Sequence, residues 1–89
     1  MVFRSVVLQN KTGLHARPAS KFVETANKFT SEIMIKKENT TVNAKSIMGV
    51  MVLGANKGTE IIIEADGSDE EEAVKALVDL VESKFDEEE

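Results

Sequence analysis

Residues 60–85 read EIIIEADGSDEEEAVKALVDLVESKF. The first seven are rich in β-branched side chains and predict a strand over 60–66. Behind it, Ser68 stands where a helix N-cap belongs and Glu71 follows three positions on, the spacing of a capping box. Asp69 to Glu72 are all acidic, which suits the positive end of a helix dipole. Ala73, Val74, Leu77, Val81 and Phe85 then recur at helical spacing, so a long last helix carries one apolar stripe. The terminal DEEE (86–89) opposes that dipole and is expected to fray.

The chain before this stretch repeats the theme. VFRSVVL (2–8) predicts a strand that ends at the loop QNKTG. Ala16, Ala19, Phe22, Val23, Ala26 and Phe29 form a second stripe, on a helix of roughly 16–28. EIMIKK (32–37) and TTVNA (40–44) flank ENT and predict a hairpin. SIMGVMVLG (46–54) fits a short helix, with Ser46 as N-cap and Gly54 as the stop. Its residues Ile47, Met48, Val50, Met51, Val52 and Leu53 leave almost no polar face, so it must be buried or must bind something. The predicted order is β-α-β-β-α-β-α. Two striped helices need one sheet to cover them, which gives an α+β, two-layer sandwich with an antiparallel sheet.

The 89 residues allow one domain, 1–89, with a modest core. Four Phe and no Tyr or Trp make that core aliphatic and leave no stacking platform for bases. A net charge of −5 argues against direct nucleic-acid binding. The positive charge is uneven, however, because Lys11, Arg17, Lys21 and Lys28 fall in the first third while acids crowd the last. Without cysteine there are no disulfides and no thiolate metal sites. The apolar runs are far short of a membrane span and no signal sequence is evident, so a cytoplasmic location without membrane insertion is expected.

NKTGLHARPASKF (10–22) holds the only histidine, His15, and the only proline, Pro18. A lone histidine near a helix start is ordinarily a surface residue. Three neighbours change its weight. Gly13 permits a tight turn that can fix the imidazole's angle to the helix. The helix start offers amides without intrahelical partners, and its dipole favours an anion. Pro18 fits a first turn, leaving Ala16 and Arg17 as the amide donors. Proline also disfavours helical backbone just before it, which leaves a start at 16 or at 18 open. Imidazole is nucleophilic at neutral pH, its ordinary pKa being about 6.5. A phosphoryl group on it would lie at those amides, with the Arg17 guanidinium and the Thr12 hydroxyl in reach. One histidine with no nearby carboxylate makes a metal site improbable on ligand count, and no cofactor is expected.

GLHARPA closely resembles the active-site motif of HPr, the histidine-containing phosphocarrier family of the bacterial sugar phosphotransferase system. KSIMGVMVLG (45–54) resembles the regulatory-serine segment of HPr proteins from Gram-positive-type bacteria. Length, element order and the helix EAVKALVDLVES extend the resemblance over essentially the whole chain. It implies an open-faced β-sandwich, a four-stranded antiparallel sheet covered on one face by three helices. It further implies that His15 accepts a phosphoryl group on Nδ1 from phosphorylated enzyme I and passes it to sugar-specific enzyme IIA domains. Arg17 would stabilise the charge, with the first-turn amides on the oxygens. Ser46 would be the target of HPr kinase/phosphorylase, linking the chain to carbon catabolite control and a catabolite-control transcription factor. Ile47, Met48 and Met51 would form the partner-docking patch. Val52 departs from many relatives, which carry serine there. A carrier of this kind is not an enzyme with its own turnover. Two other readings stay open: a paralogue dedicated to regulation or nitrogen control, and a small phosphate-handling enzyme of the acylphosphatase kind.

Overall fold

The computed structural model describes residues 1–86. In chain order it has β1 (Val2–Val7), α1 (Ala16–Ala26), β2 (Glu32–Lys37), β3 (Thr40–Asn43), α2 (Ile47–Val52), β4 (Glu60–Asp66) and α3 (Glu70–Glu82), then a 3-10 turn at Lys84–Asp86. The four strands form one antiparallel sheet in the order β1-β4-β2-β3. The fold class and element order expected from the sequence are therefore those observed, and the DEEE end falls largely outside the described residues.

Strand alternation decides which face the helices cover. Ile61, Ile63 and Ala65 of β4 and Ile33 and Ile35 of β2 are buried, while Ile62, Glu64 and Met34 between them are half-exposed on the other face. Helix α3 lies on β1 and β4, and α1 bridges α2 and α3. Phe22 of α1, Leu77 and Val81 of α3, Val50 of α2 and the strand residues form one buried cluster. Burying side chains of this size contributes about 1.5–3 kcal/mol each.

Three local readings change. Ala16 is exposed and Pro18 buried, so the α1 stripe begins with Pro18 and Ala19. The last helix ends at Glu82, and Phe85 reaches the core through a turn in which Lys84 and Phe85 have φ of 57° and 58°. The carbonyl of Phe85 accepts a 2.6 Å hydrogen bond from Lys21 Nζ, which ties this turn to α1.

The capping box also moves. Asp69, not Ser68, precedes the first helical residue, and its side chain caps nothing in its own helix. Its carboxylate instead accepts hydrogen bonds from the Ser31 hydroxyl, the Thr30 amide and the Ser31 amide. The Glu70 carboxylate reaches back to the Gly67 amide at 3.1 Å, the interaction expected of Glu71 one residue earlier. Three donors from two residues of the α1–β2 turn recruit Asp69, and that sets the helix start. A Cβ on Gly67 would lie 2.6 Å from the Ser31 hydroxyl, so glycine is needed for this close approach.

The Ser31 hydroxyl first, and the Thr30 amide next, hold the Asp69 carboxyl down at about 2, against an ordinary value of 3.8. A depressed carboxyl stabilises the fold above its unfolded-state value, and that contribution is lost as pH falls through the folded one. Asp69→Asn should therefore melt below wild type at pH 5, with the gap closing as pH falls from 4 to 2. A gap constant over that range in thermal melts would remove the charge from this account.

Candidate functional site

The segment between β1 and α1 is held by backbone. The Gly13 amide donates to the Asn10 carbonyl at 3.2 Å, closing the NKTG turn. Asn10, fully buried, donates from Nδ2 to the Gly13 carbonyl at 2.8 Å and fastens the same turn from within. The Leu14 amide then donates to the Ala55 carbonyl at 2.9 Å, joining the turn to the loop after α2. The same loop is joined to the end of β1, where the Leu8 amide donates to Thr59 and the Leu8 carbonyl accepts from Gly58.

Gly13 has φ +62°, and a Cβ there would fall 2.4 Å from the Ala55 carbonyl oxygen. Both the backbone angle and the space demand glycine. Buried Leu14 anchors one side of His15, and buried Pro18 and Ala19 anchor the other. The imidazole between them is exposed.

His15 is the N-cap of α1, with extended backbone at φ −80° and ψ −173°, and its side chain caps nothing. Its carbonyl accepts the first helical bond, from the Ala19 amide at 2.8 Å. The helix thus starts at Ala16, two residues before the proline. Ala16 and Arg17, both exposed, are the first two helical residues, and Pro18 has no amide to give. Two main-chain donors beside the imidazole therefore lack intrahelical partners, at the end of the helix dipole that favours an anion.

Arg17 makes no hydrogen bond or ion pair with the described residues, so its guanidinium is available to an added anion. Thr12 is exposed on the same turn, and its hydroxyl lies 3.5 Å from Asn10 Nδ2. Lys21, expected to share the positive face, is turned to the Phe85 carbonyl instead. Among the described residues no group of three or more His, Asp or Glu side chains could hold a metal ion.

Ser46 caps α2. Its hydroxyl accepts from the Gly49 amide at 3.2 Å, and its carbonyl accepts from the Val50 amide at 3.0 Å. Lys37 Nζ closes the other end, donating to the Leu53 and Gly54 carbonyls. Val50 and Leu53 are buried, while Ile47, Met48 and Met51 are 37%, 74% and 47% exposed. The three residues expected to form a patch are thus all open to solvent. Val52 joins them at 75% exposure, and the sequence reading missed it as a member. Its i+4 spacing from Met48 was the available signal.

The family model described as PTS HPr component phosphorylation site matches residues 2–83. The chain belongs to the HPr family. The phosphocarrier protein HPr of Neisseria meningitidis serogroup A is 51% identical over 85 residues, 96% of each chain. The HPr-like protein Crh of Bacillus subtilis strain 168 is 48% identical over 84 residues, 94% of this chain and 99% of its own. The crystal structure of HPr-C-His from Thermoanaerobacter tengcongensis superposes with a TM-score of 0.97 at 58% identity over all of both chains. These relatives place the chain among HPr phosphocarriers, a family of carriers rather than catalytic enzymes. No helix among the described residues is long and apolar enough to cross a membrane.

The seam at Gly13 sets a testable cost. Gly13→Ala combines a clash with left-handed strain and should destabilise the fold by about 2–4 kcal/mol. In thermal unfolding that is a drop of at least about 8 °C. A variant within 2 °C of wild type would show that the seam yields without penalty.

Proposed function

We propose that this HPr-family chain is a phosphoryl carrier, with His15 as the acceptor. The observation that carries the reading is the exposed imidazole set at a helix start between two unpartnered amides and an unengaged guanidinium. In the proposed step, His15 Nδ1 attacks the phosphorus of phosphorylated enzyme I. A P–N bond forms as the bond to the donor breaks, and the donor group leaves with its electron pair. The Ala16 and Arg17 amides and the Arg17 side chain bind the phosphoryl oxygens, and Thr12 supplies a further hydroxyl. The same step in reverse delivers the group to an enzyme IIA domain. Exposure of His15 suits a group that must be presented to one protein after another.

Ser46 is the proposed regulatory site, modified by HPr kinase/phosphorylase. A phosphate there stays at a helix N-terminus, where negative charge is favourable, so α2 need not unfold. It adds about two negative charges beside Ile47, Met48 and Met51, the proposed docking patch for enzyme I, enzyme IIA and a catabolite-control transcription factor. Methionine suits a surface shared among partners because its flexible thioether adapts to each. A second reading, a regulatory role without general sugar phosphotransfer, draws support from the 48% identity to Crh. The proposed setting for either role is the cytoplasm.

Incubation with phosphoenolpyruvate and trace enzyme I should add one acid-labile phosphoryl group to wild type and none to His15→Ala, by intact mass. Arg17→Ala should accept it about 10–100-fold more slowly, the loss of a charge-assisted contact. No gain with an active enzyme I would turn the choice to the regulatory reading. Ser46→Asp should keep the melting temperature, since aspartate caps as well as serine. The same variant should accept the phosphoryl group about tenfold more slowly in stopped assays, as a misplaced rim charge does. Unchanged acceptance would separate Ser46 from docking.

A further inference from the structure

We propose that Met48 and Met51 form an oxidation site, at which a hydroperoxide turns each thioether into a sulfoxide and uncouples the chain from its protein phosphoryl donor. The inference rests on the carrier reading and on the docking patch proposed with it. It adds a chemical class of regulator that acts on the patch and not on His15. The step balances between its two reactants. A lone pair of the sulfur forms the S–O bond as the peroxide O–O bond breaks, so sulfur loses two electrons. The second oxygen leaves with that bond's electron pair and takes the proton of the first, becoming water when the oxidant is hydrogen peroxide.

The chain has no cysteine, tryptophan or tyrosine, so its four methionines are the side chains that a peroxide meets first. They differ in place. Met1 stands beside Asp66 and Glu70, with which its amino group pairs. Met34 is half-exposed on the sheet face away from the helices, between Glu64 and Asn43 of the neighbouring strands. Met48 and Met51 are the two on α2, three positions apart on one side of the helix, and they are the exposed thioethers of the patch. That exposure lets an oxidant reach the sulfur, and lets a reductase reach the sulfoxide afterwards.

The neighbours decide what an added oxygen does. Helix α2 is held by Val50 and Leu53 in the core, by the Ser46 cap and by the Lys37 ammonium, none of which involves a thioether. Oxidation therefore leaves the helix folded. The surface changes instead, because a sulfoxide oxygen is a hydrogen-bond acceptor set among apolar side chains. Ile47 and Val52 beside it have no side-chain donor to offer. The Lys45 ammonium is turned to the Phe29 carbonyl at 2.7 Å. A partner that covers the patch must bury the oxygen without a bond from these side chains or leave the contact wet, and either lowers affinity. His15 stands at the start of another helix, so the groups around it keep their arrangement.

Hydrogen peroxide, removed before any enzyme is added, should raise the intact mass in steps of one oxygen atom, with peptide mapping placing oxygen on Met48 and Met51. In transfer from phosphorylated enzyme I, the oxidised chain should show a KM raised about tenfold or more, with kcat within about twofold. Its melting temperature should stay within about 4 °C of the reduced chain. Methionine sulfoxide reductases for both epimers should restore the KM, with dithiothreitol supplying two electrons for each oxygen released as water. The double variant Met48→Leu, Met51→Leu, whatever its own KM, should show no further change on oxidation. Met34→Leu should keep the full response, which covers a failure of the double variant to fold or dock. A KM unmoved with sulfoxide at both positions, a loss confined to kcat, or a response that follows Met34 overturns the proposal and leaves the carrier reading in place. A reduced wild type that accepts nothing from an active enzyme I overturns the carrier reading and this inference with it.

Discussion

The hydrogen bond from the Leu14 amide to the Ala55 carbonyl joins two loops that would otherwise move apart, and it lies one residue before the imidazole. Gly13 makes it possible by letting the backbone approach Ala55 without a side chain between them. Asn10 then locks the turn from the buried side. Rigid main chain on the near side and the buried Pro18–Ala19 start of the helix on the far side leave His15 little backbone freedom. Its side chain alone faces out. The position of the imidazole is therefore set by glycine, asparagine and proline.

The two ends of the molecule are built on opposite principles. At the His15 end, donors are left unpaired beside a flexible cation. At the Asp69 end, a carboxylate takes up three donors from the α1–β2 turn. The first arrangement is open to a ligand, while the second is satisfied internally. Between them the core is apolar, and the buried polar residues among those described are Asn10 and Ser31, one at each end. Each serves the clamp at its own end.

Much of this was legible in the sequence. The strand 60–66, the stripe of Ala73, Leu77 and Val81, and the cap at Ser46 follow from periodicity and local chemistry, and all three stand. Local rules failed where a distant partner decided. Ser68 and Glu71 had the right spacing for a box, but Ser31 and Thr30, nearly forty positions away, claimed Asp69 and shifted the helix start. Phe85 had the right spacing for the stripe, yet it reaches the core through a left-handed turn braced by Lys21. Asn10 drew no notice because an asparagine in a loop is ordinary; only the fold shows that it is buried. Val52 was noticed as a departure and not as part of the apolar patch, although its spacing from Met48 sets both on one side of the helix.

Pro18 has a consequence beyond starting a helix. A phosphoryl group carries three terminal oxygens, and a helix start without proline would offer it a third amide. Here the third helical residue has none to give. On the carrier reading, the main chain meets two of the three oxygens, and the third falls to a side chain, that of Arg17 or Thr12. Main chain at a helix start is fixed in place, whereas a side chain can swing aside. Proline therefore divides the hold on the cargo into a rigid part and a part that can let go.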